Sequence, residues 1–75
     1  MKLDIMDSIT LDNNDKYMVI SKANYNGQEY YCLFNDNQKV MFGYIINNMF
    51  NEIKDNELNK KLLSLFDEEI KKFSN

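Results

Sequence analysis

Apolar residues fall on every second position through the first part of the chain, at Leu3, Ile5, Ile9 and Leu11, with Asp7 interrupting the alternation. A period of two is the signature of a strand with one buried face, and it predicts a first strand over 8–12. Asn13-Asn14-Asp15 supplies turn chemistry, because Asn and Asp tolerate left-handed backbone and bond to their own main chain. Two long runs rich in β-branched and aromatic residues follow, YMVISKANY and QEYYCLF, on either side of Asn26-Gly27. That dipeptide predicts a type I′ turn, which needs φ > 0 at both central positions, and so a hairpin of strands 16–25 and 28–34. An unbroken ladder from this turn sets Tyr25 against Gln28, Ala23 against Tyr30, Ser21 against Cys32 and Val19 against Phe34. On the opposite face it sets Lys22 against Tyr31 and Ile20 against Leu33.

The polar stretch 35–39 reads as a turn, and VMFGYII over 40–46 as a fourth strand. Gly43 in its middle marks a bulge or a close backbone approach. Residues 49–53 fit either a short fifth strand or a turn of helix, with the strand preferred. At the C-terminus the period changes. Leu58, Leu62, Leu65, Phe66, Ile70 and Phe73 recur at spacings of three and four, which predicts one amphipathic helix over 56–73. Asp55 is suited to cap it, Glu57 to its positive end and Lys71-Lys72 to its negative end.

The predicted fold is therefore α+β: an antiparallel β-meander of four to five strands in a single domain spanning 1–75, with one C-terminal amphipathic helix packed on one face. In the unbroken register, Tyr17, Val19, Ala23, Tyr25, Tyr30, Cys32 and Phe34 form the larger apolar face and are expected beneath the helix. Met18, Ile20, Tyr31 and Leu33, joined by Met41 or Ile45, fall on the other face, and one helix cannot cover both. An apolar cluster of that kind often marks a contact site. Either Lys22, Asn24, Glu29 and nearby loops screen it, or Leu3 and Ile5 fold over it, or it is a partner or dimer surface with Met18, Ile20, Tyr31 and Leu33 as its interaction residues.

Composition narrows the chemistry. The chain has 75 residues, a net charge of −3 and no histidine, and Lys residues supply all its basic charge. Without histidine there is no Ser-His-Asp triad, no Cys-His dyad and no histidine-containing zinc site. One cysteine cannot form an internal disulfide or a CxxC pair, and Cys32 in mid-strand reads as a small core hydrophobe. Asp12-Asn13-Asn14-Asp15 lacks the alternate ligands, central glycine and terminal glutamate of a calcium loop. Asp67-Glu68-Glu69 reads as a solvated helix face. Neither glycine sits in a phosphate-cradling pattern. Tyr31, or Tyr25 and Tyr30, could in principle stack bases, but such platforms come with a cationic groove, and Lys22 is nearly alone on this sheet. These readings predict no enzyme, no catalytic, cofactor-binding or metal residues, and no small-molecule ligand. The acidic balance disfavours nucleic acid and an anionic membrane surface. With no apolar run near 18 residues and no signal-peptide opening, the expected compartment is cytoplasmic.

Ile9-Thr10-Leu11-Asp12, Lys16-Tyr17 and the run from Val19 to Tyr31 (VISKANYNGQEYY) resemble the opening of small, acidic bacterial proteins of the YrzB-like uncharacterised family, with Leu58 to Phe66 where those proteins carry a Leu-rich helix. The chain departs from them in having Asn13-Asn14-Asp15 where a glycine stands in the first turn, and in being less acidic. The resemblance implies a meander with a closing helix and a bacterial or phage origin, and it carries over no site residue. The function expected from the whole reading is a non-enzymatic small acidic protein-interaction module, binding a protein partner or forming a homodimer through an uncovered sheet face or edge. The alternative is a small phage-type inhibitor of a nucleic-acid enzyme that offers an acidic surface to a basic groove.

Overall fold

A computed structural model of the chain describes residues 3–11 and 14–73. Five strands, β1 (Ser8–Thr10), β2 (Lys16–Tyr25), β3 (Gln28–Phe34), β4 (Val40–Ile46) and β5 (Met49–Glu52), are followed by α1 (Asn56–Leu65) and α2 (Asp67–Phe73). Each strand pairs antiparallel with the next, in the order β1-β2-β3-β4-β5. The expected meander is present, and 49–52 is strand rather than helix. The first strand ends at Thr10, short of the expected 8–12, and Asp12 lies outside the described residues.

Asparagines make the turns. Asn26 (φ 52) and Gly27 (φ 81) form the two-residue loop between β2 and β3, and the Asn24 side-chain oxygen accepts from the Gly27 amide at 3.2 Å. Asn47 (φ 52) and Asn48 (φ 62) repeat the geometry between β4 and β5, since asparagine is among the side chains that best accept a left-handed backbone. Between β3 and β4 the buried Asn35 Oδ1 accepts from the amides of Asn37 (3.0 Å) and Lys39 (2.9 Å), which closes that turn from inside.

The register departs from the expected unbroken ladder in β2. Ser21 faces Cys32 as expected, but Val19 faces Leu33 and Met18 faces Phe34, so Ile20 is the extra residue of a β-bulge. Two residues, Ile20 and Ser21, now oppose Cys32, and every side chain N-terminal to them changes face. The helix-side core therefore holds Ile20, Cys32, Phe42, Ile53, Leu62 and Phe66, with Met18 and Phe34 packed against it. Tyr17 and Val19 lie on the opposite face, in a second core with Leu3, Tyr31 and Leu33. Met18-Val19-Ile20 is apolar without a break, so burying one face alone does not fix the register here. The bulge puts apolar side chains into both cores and adds the local twist that curls the sheet.

The curl brings both ends of the sheet to the second core. Ile9 and Leu11 from the β1 end pack on it together with Met41, Ile45 and Phe50 from β4 and β5. Gly43 marks a close approach and not a bulge. The Phe50 ring occupies the place a Cβ would take at Gly43, and the Asn51 carbonyl oxygen would lie 2.6 Å from that Cβ.

The expected single helix is two. Asp55 caps α1 by accepting from the Glu57 amide at 3.1 Å, but the run breaks at Phe66 (φ −99, ψ 9). Phe66 is 1% exposed and stacks on Phe42 at 5.7 Å between ring centroids, and Leu62 is fully buried beside it. A straight helix would carry its stripe off the curved sheet. The break turns α2 back, so that Ile70 packs on the helix-side core and Phe73 meets Phe34 at 6.3 Å. Leu65, expected on the buried stripe, is exposed. No helix among the described residues is long and apolar enough to cross a membrane.

Candidate functional site

Met18, Ile20, Tyr31 and Leu33 do not form one surface. The bulge separates Met18 and Ile20, which face the helices, from Tyr31 and Leu33, which face the second core. Ile20 and Tyr31 are each 3% exposed and Leu33 is fully buried, so three of the four have no surface to offer. What covers the second face is the segment before β1. The amide of Met6 donates to Val19 O (2.7 Å) and that of Val19 to Asp7 O (2.8 Å), which lays the segment along β2 and seats Leu3 in the core. Lys22 Nζ pairs with Asp4 Oδ1 at 3.3 Å above it. Ile5, the other residue expected to fold over this face, is exposed.

Polar groups near this core are accounted for. The Tyr31 hydroxyl donates to Glu29 Oε1 at 3.0 Å, and burial, then that bond, raises its pKa. Burial also raises the pKa of Tyr17, helped by the charges of Asp15 and Glu52. On the helix side, burial pushes the Cys32 thiol up to about 12, which leaves it protonated and unreactive at neutral pH. Among the described residues no group of three or more Cys, Asp or Glu side chains could hold a metal ion. Tyr25, Tyr30 and Tyr44 run across the helix side of the sheet with centroids 6.4 and 6.1 Å apart, half-buried beside the start of α1.

With both faces occupied, the open elements are the edges. β1 and β5 each pair with a single strand among the described residues. The direction of their backbone groups follows from the ladder, in which bonded and non-bonded pairs alternate. The Ile53 amide donates to Phe42 O at 2.9 Å, so Tyr44 with Asn51 and Ile46 with Met49 are the bonded pairs of β4 and β5. Phe50 and Glu52 then turn both backbone groups away from β4. On β1, the Leu11 amide donates to Asp15 O (2.9 Å) and that of Val19 to Asp7 O, which makes Ile9 with Tyr17 the bonded pair between them. Ser8 and Thr10 then turn their backbone groups away from β2.

Between these two edges runs an open groove of about 680 Å³, lined by Ile9, Leu11, Met41, Phe50, Glu52 and Lys54 among others. Its floor is the second core. A smaller hollow of about 410 Å³ lies where α1 passes β4, bounded by Val40, Phe42, Asn59 and Leu63. Periodicity cannot find an edge, because strand order is a property of the assembled sheet. The two-residue loop at Asn47-Asn48 was the available signal, since it fixes which residues of β5 point outward. No family model, curated protein or solved structure matches this chain, so the likeness to the YrzB-like proteins rests on the residues quoted for it alone.

Proposed function

We propose that this chain is a non-enzymatic protein-interaction module that engages a partner protein, or a second copy of itself, through its open strand edges. The observation that carries the reading is that Ser8 and Thr10 on one edge and Phe50 and Glu52 on the other direct unused backbone donors and acceptors outward, while both sheet faces are filled. An edge strand presents unpaired backbone groups that can template another strand, here over a short stretch on each side, three residues in β1 and four in β5.

The test compares capture of partners from a lysate of the source cells by the wild type, by Thr10→Pro with Glu52→Pro, and by Lys71→Ala on the exposed side of α2. Proline at these two positions removes only amides that point outward, so the internal ladder persists and circular dichroism should be unchanged. The reading predicts partners lost with the proline variant and kept with Lys71→Ala. Identical partners for all three would overturn it. Sedimentation of the wild type at micromolar and millimolar concentration identifies a second copy as the partner.

A further inference from the structure

Asn26 is the one asparagine in the sequence followed by glycine, and it stands exposed at the tip of the β2–β3 hairpin. Asparagine side-chain amides are among the thermolabile groups of proteins. They are lost when the backbone nitrogen of the next residue attacks the side-chain carbonyl carbon, and a next residue without a Cβ leaves that approach open. The turn decides whether the two atoms can meet. Asn26 (φ 52) and Gly27 (φ 81) have the signs of a type I′ turn, which sets ψ at Asn26 to about 30°. For an L-residue the Gly27 nitrogen then lies about 150° around the Cα–C bond from Cβ, whereas ring closure needs the two nearly eclipsed. The Gly27 amide proton is also held, by Asn24 Oδ1 at 3.2 Å, and the nitrogen must lose it to attack. The closed turn therefore withholds the reaction, and opening of the hairpin tip releases it. Asn47-Asn48 is the internal comparison. Both residues have positive φ and are exposed on a two-residue loop, but Asn47 is followed by a residue with a side chain.

We infer that Asn26 is a site of spontaneous covalent modification, gated by opening of the β2–β3 turn. The deprotonated Gly27 nitrogen bonds to Asn26 Cγ, the Cγ–Nδ2 bond breaks, and the side-chain nitrogen leaves as ammonia with the proton the amide gave up. The succinimide so formed takes up one water, which opens it at either carbonyl. Opening at the side-chain carbonyl gives aspartate, which tolerates the left-handed backbone and keeps the turn. Opening at the main-chain carbonyl gives isoaspartate, whose chain runs on through Cβ and Cγ. The loop then gains a backbone atom and no longer fits between Tyr25 and Gln28, the pair it joins. Each product also adds a negative charge to a chain of net charge −3.

The test incubates the full chain at mildly alkaline pH, folded and in guanidinium chloride, and follows amide-to-acid conversion at each asparagine by peptide mass spectrometry. In the folded protein, conversion is expected at Asn26 and not at Asn47. It should run roughly ten- to a hundredfold faster in the unfolded chain, which has no turn to open. Gly27→Asn, which copies the Asn47-Asn48 loop, should lose the reaction at Asn26 in both states, so the result does not depend on how well the variant folds. The isoaspartate form, isolated by chromatography, should exchange its Tyr25 and Gln28 amides roughly tenfold faster or more, while Asn26→Asp leaves them as in the wild type. Conversion at Asn26 no faster than at Asn47 overturns the site, and so does its persistence in Gly27→Asn. Equal rates in the folded and unfolded chain overturn the gating by the turn.

Discussion

Gly43 has no room for a side chain. A methyl group there would meet the Phe50 ring and lie 2.6 Å from the Asn51 carbonyl oxygen, and the backbone atom cannot swing aside. Gly43→Ala is expected to cost about 1–3 kcal/mol, read as a lowered urea midpoint, with only part of the loss recovered by adding Phe50→Ala. Cys32 sets a different kind of test. Its pKa is raised from 9.0 to about 12, so the unfolded chain loses its proton first as pH rises. Stability from this group is fully present below about pH 9 and falls between pH 9 and 12, by up to roughly 4 kcal/mol. Tyr17 and Tyr31, also raised by burial, add to the decline above pH 10. Cys32→Ala should flatten the first part of that curve in chemical denaturation measured from pH 7 to 11. An unchanged slope would mean the thiol is not sealed from water.

Among the elements, the bulge in β2 separates what the chain declares from what only assembly decides. The Asn26-Gly27 turn, the pairing from Tyr25 to Ser21 and the strand at Met49–Glu52 are legible, because turn chemistry and alternation agree there. The pairing beyond Ser21 is not, because Met18-Val19-Ile20 satisfies a core on either face and a one-residue slip costs little locally. The same applies to the helix break, since Leu65 and Phe66 both fit the apolar stripe and only the curve of the sheet chooses Phe66. The choice has consequences for experiment. Ile20 is 3% exposed in the helix-side core, so Ile20→Glu buries an unpaired charge and should unfold the chain, which is stabilised by only a few kcal/mol at this size. Phe66→Ala should cost about 3–5 kcal/mol for the same core, while Leu65→Ala, at an exposed position, should stay within about 0.5 kcal/mol. Thermal unfolding of these variants distinguishes the two neighbours directly.

The assembled molecule has two small cores on the two sides of one curled sheet, one beneath the helices and one roofed by the sheet's own ends and Leu3. The sequence pointed to a contact surface on one sheet face; with both faces filled, the contact surface proposed for this chain is its two open strand edges. Amide exchange by NMR on the free protein tests this most directly. Fast exchange is expected at Ser8, Thr10, Phe50 and Glu52, whose amides point outward, against slow exchange at Ile9, Asn51 and Ile53, whose amides point into the ladder. Equal protection of the two sets would mean that the edges are closed, and would contradict the account.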